Sequence, residues 1–182
     1  MNTAVTHGHL FWITSRAAGT AALLFSSVAV GLGLTMSLKL LRGRGPALLA
    51  THEALSLATM IALGVHVFAL LGDSFTSFGV TDLTVPFVSG YAEPWMSIGI
   101  IAGWVTVILG LSYYARGRIG VKRWRKWHRF TSVAWIAAVV HSLGEGTDAG
   151  LAWFVVALGV AGVPAVVLLA MRVTGQRPEL AR

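Results

Sequence analysis

The sequence predicts an all-α integral membrane protein, a bundle of about five transmembrane helices with its N-terminus outside and its C-terminus in the cytoplasm. Of its 182 residues 55% are hydrophobic, and the mean hydropathy is +0.74. Charged residues make up only 12%, about half of the roughly 25% typical of soluble domains. A soluble domain of this size keeps too much surface in water to hide so many apolar residues, so the composition favours a membrane protein.

Five apolar stretches are long enough to be transmembrane helices. Crossing about 30 Å of hydrocarbon takes about 20 mostly apolar residues. Pro94 is placed where a helix begins, and Pro164 is expected to kink the last helix. We treat residues 1–182 as one transmembrane domain, whose predicted helices are 10–38, 47–71, 94–114, 124–143 and 151–173.

The segments between these stretches alternate between basic and acidic, which predicts the topology. Thirteen of the 14 basic residues fall in one class of segments. Under the positive-inside rule that class is cytoplasmic, so we expect a multi-pass protein of the cell (plasma or inner) membrane. The first stretch is too long for a cleavable signal peptide. The basic class is Lys39, Arg42, Arg44, Arg116, Arg118, Lys122, Arg123, Arg125, Lys126, Arg129, Arg172, Arg177 and Arg182, and the acidic class is Asp73, Asp82, Glu93, Glu145 and Asp148.

Composition also excludes several functions. Cysteine is absent, which removes disulfides, cysteine-ligated iron–sulfur clusters, covalent haem attachment and thiol catalysis. Because the net charge of +7 is explained by topology, we expect membrane lipid and no nucleic acid as a partner. No phosphate-binding loop and no acid–base or nucleophilic set is present, so no catalytic residue is assigned.

Four histidines lie inside two predicted helices, at two matched depths. Ionisable groups inside a bilayer are costly and are functional candidates by default. His52 and His128 lie near the cytoplasmic ends of their helices. His66 and His141 lie about 20 Å further along. Two levels with one histidine from each helix provide axial ligands for two six-coordinate haems b.

The rotation of the fourth predicted helix does not match this layout. His66 is about 40° from His52 around its helix, but His141 is about 140° from His128. A regular helix would not turn both of its histidines toward the other helix. We therefore expect a bulge, an unwound turn or a strong tilt between His128 and His141.

The histidine spacings, His-x13-His and His-x12-His on two helices, resemble the ferric reductase-like transmembrane domain superfamily. This superfamily includes NADPH oxidases, ferric reductases and the haem-binding membrane partner of a methionine-sulfoxide reductase. The resemblance implies that His52 and His128 ligate an inner haem, and His66 and His141 an outer haem. It extends to further segments, which are Trp12-Ile13-Thr14-Ser15-Arg16, Val85-Pro86-Phe87, Trp127-His128-Arg129, and His141-Ser142-Leu143 leading to Gly146-Thr147-Asp148.

The resemblance has limits that bear on the electron donor. Many members have six helices and a cytoplasmic flavin and nicotinamide domain, whereas only about ten residues follow the fifth stretch here. We therefore expect an oxidoreductase or electron-transfer subunit that needs an electron donor protein or a quinol. Its acceptor would be a protein or metal ion on the outer side. The alternatives are a histidine-lined metal-ion or proton transporter without haem, and histidines that only pack.

Several other residues have more than one reading each. Arg16 is a candidate for binding an outer-haem propionate, or is an interfacial anchor. Arg129, together with Lys39, Arg42 and Arg44, would bind inner-haem propionates, dock an electron-donating partner, or serve only as a topology signal. Glu53 would orient His52 or take up a proton, or is an ordinary carboxylate at the start of a helix. Two groups on the outer side either attract a cation or are simply solvated by water. They are His7 with His9 in the N-terminal tail, and Glu145 with Asp148 after the helix that carries His141.

Two further features have no predicted role in binding a cofactor. The loop of about 20 residues from Gly72 to Tyr91 is either functional or a simple connector. The glycines of the first and fifth helices, Gly31, Gly33, Gly159 and Gly162, are attributed to close helix packing.

Overall fold

The computed structural model describes residues 3–41 and 43–176, with side chains from residue 9 onward. In this part of the chain all regular elements are helices. They are α1 (Thr3–Leu38), α2 (Gly45–Gly72), α3 (Val80–Thr84), α4 (Glu93–Leu111), α5 (Arg116–Ile119), α6 (Val121–His128), α7 (Thr131–Glu145) and α8 (Ala152–Thr174).

Four of these helices, α1, α2, α4 and α8, are long and apolar enough to cross a membrane. They match four of the five predicted stretches to within a few residues, apart from an earlier start of α1. Pro46 occupies the first turn of α2, where its missing N–H costs nothing. α8 continues through Pro164 without interruption. The all-helical membrane class predicted from the sequence is therefore confirmed.

The fourth predicted stretch, 124–143, is not one helix. It is divided into α6 and α7 by Arg129 and Phe130. α7 alone has 15 residues, about 22 Å, which is short of the roughly 30 Å of hydrocarbon. At the break, hydrogen bonds run from Phe130 N to Trp127 O and from Ser132 N to Arg129 O, both three residues back. The chain thus winds more tightly here than an α-helix, which is an irregularity between His128 and His141, where the sequence predicted one.

The helices pack as two groups that face each other. α1 lies against α2, α8 and α7, and α4 lies against α7, while α2 and α4 have little contact. Across the middle, the indole N–H of the buried Trp135 on α7 donates to the hydroxyl of the fully buried Ser27 on α1, at 2.9 Å. The space between the α1–α2 pair and the α4–α7 pair is a cavity.

The loop between α2 and α4 is more than a connector. The N–H of Phe87 donates to Ser97 Oγ at 2.8 Å, and the indole of Trp104 donates to the carbonyl of Thr84 at 2.8 Å. Trp104 lies eleven residues into α4, about 16 Å from its start. Leu83 is buried, so α3 folds back along the first half of α4 and covers the gap beside α2.

Candidate functional site

All four interior histidines line the cavity between the helix pairs. The cavity has a volume of about 520 Å³ and is lined mainly by apolar side chains. This size lies within the range of about 300–1,000 Å³ for small-molecule and cofactor sites. His52 and His66 enter it from α2, His128 from the end of α6 and His141 from α7. Two separate segments of chain thus bring their histidines into one space.

His52 and His128 form a close pair. Their ring centroids are 6.2 Å apart and their planes are inclined by 81°. A metal–imidazole bond is about 2 Å long, so two imidazoles on opposite sides of one metal have centroids about 6 Å apart. The separation of this pair therefore suits axial ligation of one iron. His66 and His141 are the corresponding residues of the other level, and both line the cavity.

Backbone carbonyls orient three of the four imidazoles. The Nδ1 atoms of His52, His66 and His141 lie 2.8 Å from the carbonyl oxygens of Ala29, Ser15 and Trp95, respectively. A carbonyl oxygen only accepts hydrogen bonds, so Nδ1 carries the proton in each ring. Nε2 is then the nitrogen with a free lone pair, which is the tautomer and the orientation that a metal ligand needs.

His128 is held differently. Its Nδ1 is buried without a hydrogen-bond partner, because the nearby Leu109 carbonyl does not meet hydrogen-bond geometry. The ring instead stacks on Trp124, with centroids 4.8 Å apart and an interplanar angle of 28°. Stacking fixes the plane of this imidazole, but no neighbouring group determines which of its two nitrogens carries the proton.

Two glycines of α1 make room for the imidazoles of α2. A Cβ atom on Gly19 would lie 2.9 Å from His66 Nδ1, and one on Gly33 would lie 3.3 Å from His52 Cε1. Helix packing, the role assigned to Gly33 from the sequence, is therefore only part of its function. The fourteen-residue spacing of Gly19 and Gly33 equals that of the histidines, a signal for two helices in contact that the sequence reasoning missed.

Gly99 has the same role for the other helix pair. A Cβ atom there would lie 2.6 Å from Nδ1 of His141 and 2.7 Å from its Cε1. The ring lies flat against the α4 backbone, within reach of the Trp95 carbonyl that it binds. No sequence signal pointed to Gly99, because its partner lies on a helix with no matching period.

Arg16 lines the cavity and is paired with Asp148. Its guanidinium forms a salt bridge to the buried Asp148 carboxylate, with a second contact from Nε to Oδ2 at 3.3 Å. It also lies 4.2 Å from the ring centroid of Trp12. Asp148, considered earlier for cation capture, therefore has its carboxylate engaged. A guanidinium has five N–H donors, so the pairing leaves others to reach a second carboxylate.

The remaining candidates lie away from the cavity. Arg129 is exposed in the turn between α6 and α7, and His9 is exposed, with its ring edge-on to Trp12. The side chain of His7 lies outside the described residues. Glu53 accepts a hydrogen bond from Tyr113 instead of orienting His52, because Ala29 already occupies the Nδ1 of that ring.

Glu145 lies one turn beyond His141 and interacts with Tyr91 in the loop that follows α3. The negative charge of Glu145 raises the pKa of Tyr91, and a hydrogen bond to the same carboxylate and partial burial act in the same direction. Tyr91 therefore stays a neutral hydrogen-bond donor at this end of the cavity.

The His52–His128 pair suits a ligand that takes one protein donor on each of its two sides. Among the described residues, no three His, Cys, Asp or Glu side chains group together. A bare zinc ion would take three or four such ligands, whereas haem iron takes two axial ones. The flat imidazole seats against glycine and the apolar cavity wall also fit a planar group.

No family model, curated protein or solved structure matches this chain.

Proposed function

We propose that this chain is a di-haem b transmembrane electron-transfer protein of the ferric reductase-like type. It would pass electrons from the cytoplasmic or quinol side to an acceptor on the outer side. The observation that carries the proposal is the His52–His128 pair in the cavity lining, whose ring centroids lie 6.2 Å apart with their planes nearly perpendicular. The carbonyl-bound Nδ1 of His52 leaves its Nε2 free to ligate.

Each level has its own protein ligands in this proposal. His52 and His128 hold the inner haem, and His66 and His141 hold the outer haem. A bound haem b supplies a one-electron iron couple at each level. The protein keeps the imidazoles of His52, His66 and His141 in the ligating tautomer, and its apolar wall lowers the local dielectric and excludes water. Arg16, which lines the cavity, is the candidate partner of a haem propionate. Arg129 is exposed away from the cavity and takes no part in this proposal.

The proposed topology has five spans, with the N-terminus outside. α6 lies at the cytoplasmic surface, and the turn with α7 covers 17 residues from Arg129 to Glu145, the lower end of the roughly 17–25 residues that a transmembrane helix takes. The basic segments then lie on one side and the acidic segments on the other, in the cell membrane. His128 falls near the inner surface because α6 itself is basic and exposed.

A haem count on purified protein tests the function. We expect the detergent-solubilised protein, produced with adequate haem, to give a dithionite-reducible b-type spectrum and two haems per chain by pyridine haemochrome assay. His52→Ala and His66→Ala should each retain one haem, because each removes one axial ligand from one level. His9→Ala is the matched control, since His9 is exposed and does not line the cavity, and it should retain two.

The same preparation separates the alternatives. Folded protein without haem would refute the proposal. Zinc, copper or iron bound without porphyrin in that sample would then support a metal-ion transporter. If the sample contained neither haem nor a bound metal ion, the histidines would only pack.

A further inference from the structure

Helix α6 has two chemically different faces. Trp124 and His128, four residues apart, share the face that stacks inside the protein. Four basic side chains of the same eight-residue helix are exposed, and the sequence from Arg116 to Arg129 contains no acidic residue. The four basic side chains are Lys122, Arg123, Arg125 and Lys126.

A chain of aromatic contacts leads from this surface to the histidine pair. Tyr114 is 72% exposed and lies edge-on to Tyr113 at 5.5 Å between ring centroids. Tyr113 lies 5.9 Å from Trp124, which stacks on His128 at 4.8 Å, and His128 faces His52. The rings therefore touch one another from the exposed surface to the cavity.

Neighbouring polar groups fix the rings of this chain. The indole N–H of Trp124 donates to Ser112 Oγ at 3.1 Å. The Tyr113 hydroxyl donates to Glu53, and the guanidinium of Arg116 lies 3.7 Å from the Tyr113 ring centroid. Side chains that served only as membrane anchors would not require such specific partners.

We propose that residues 116–128 form a docking surface for a soluble electron-carrier protein with an acidic face, and that Trp124 is the residue between the docked carrier and His128. This inference rests on the proposed function and names its donor. Complementary charge steers two proteins together and orients them, and a strongly basic patch therefore suits an acidic partner. The patch lies at the place where the aromatic chain reaches the surface.

An anionic lipid surface is the competing occupant, and the faces of α6 argue against it. A helix that lies in a membrane interface turns an apolar face into the lipid, opposite its charges. In α6 the centre of the face opposite the charges is Trp124 and His128, which pack against protein groups, and only Val121 and Trp127 at the edges of that face are exposed. The charges are therefore left for a partner on the aqueous side.

The transfer at this surface is a simple one-electron step. The carrier would give up one electron, and a haem held by His52 and His128 would take it up at its iron. No bond forms or breaks, and no proton moves. Trp124 is a positioning residue, since it fixes the plane of His128 and fills the space between that ligand and the surface.

Binding of an acidic plant-type [2Fe–2S] ferredoxin to the protein in phosphatidylcholine nanodiscs tests the docking surface. We expect saturable binding that weakens as salt is raised, and at least about tenfold weaker binding by the triple variant Lys122→Gln/Arg125→Gln/Lys126→Gln. The matched control Lys39→Gln/Arg44→Gln removes charges from another basic segment and should bind as the wild type does.

Two results would overturn the docking surface. One is equal binding by the triple variant and the wild type. The other is loss of binding when phosphatidylglycerol is added to the nanodiscs at low salt, which would assign the basic residues to lipid. A haem count on each sample keeps the proposals apart, because two haems without ferredoxin binding refute only the docking, and absent haem refutes the proposed function.

Trp124→Phe tests the second part of the inference. We expect unchanged ferredoxin affinity and haem count, but a several-fold slower reduction of the inner haem by bound ferredoxin in stopped-flow absorbance, with an altered low-spin electron paramagnetic resonance signal from a tilted His128. Trp153→Phe, the same substitution at an exposed residue of α8 that does not line the cavity, is the control. A wild-type rate and an unaltered signal in Trp124→Phe would refute the role of Trp124.

Discussion

At the scale of single residues, main-chain groups determine how the imidazoles stand. A carbonyl and a glycine position the rings of His52, His66 and His141, and no charged side chain takes part. This suits a site within a membrane, since a carboxylate partner would add a second charge to be buried. The backbone carbonyl provides the same tautomer control at lower cost.

Gly99→Ala is the sharpest test of these imidazole seats. The new Cβ would lie 2.6 Å from His141 Nδ1, so either the ring or α4 must shift, at a cost of about 1–3 kcal/mol. We expect loss of the outer haem, with the pyridine haemochrome count falling from two to one while the inner haem keeps its spectrum. Gly159→Ala is the control, since nothing lies within 4 Å of its new Cβ, and it should keep two haems. Two fully ligated haems in Gly99→Ala would contradict the proposed seat of His141.

At the scale of elements, the interruption between α6 and α7 is the feature on which both levels depend. The turn at Arg129 and Phe130 winds more tightly than an α-helix. It changes the rotation between His128 and His141, which an unbroken helix would set about 140° apart. The short α7 is then fixed to α1 by Trp135 and Ser27, between the two histidine levels.

Inserting one alanine after Val133 tests this rotation. The insertion turns the rest of α7 by about 100° and moves it by about 1.5 Å, while α6 is unchanged. His141 and Trp135 would leave the cavity, so we expect the outer haem to be lost and the inner haem to remain in the haemochrome count. An alanine inserted after Gly150, in the loop before α8, is the control and should keep both haems. Retention of both haems after the Val133 insertion would show that the phase of α7 does not matter.

Hydropathy predicted four of the long helices closely, because a continuous apolar run needs no knowledge of its neighbours. The angle between His128 and His141 around a regular helix also predicted an irregularity between them. The division into two helices at Arg129, the seats at Gly19 and Gly99, and the return of α3 along α4 depend on contacts between distant segments. Such contacts leave little trace in the sequence of either partner. For this reason the sequence could not distinguish a functional loop from a simple connector between Gly72 and Tyr91.

At the scale of the whole molecule, the two helix groups form the walls of one cavity. α1 with α2 supplies two histidines with their carbonyls and glycines, and α4 with α7 supplies the same set for His141. α8 carries none of the four histidines, but it packs on α1 and adds Phe154 to the lining of the cavity. The proposed crossing of the membrane by α6 and α7 then decides whether the two levels lie near opposite faces.

The absence of cysteine makes this topology directly measurable, because any introduced cysteine is the only one in the chain. In intact cells we expect Ser74→Cys and Gly150→Cys to react with a membrane-impermeant maleimide, since both residues are exposed in segments placed outside. Gly117→Cys, exposed in the basic segment before α6, should react only after permeabilisation. Because Gly117 and Gly150 flank α6 and α7, opposite labelling means that these two helices together cross the bilayer and carry their histidines from one face toward the other. If Gly117→Cys and Gly150→Cys were labelled from the same side, α6 and α7 would form a re-entrant hairpin, and electron transfer across the membrane through both levels would be ruled out.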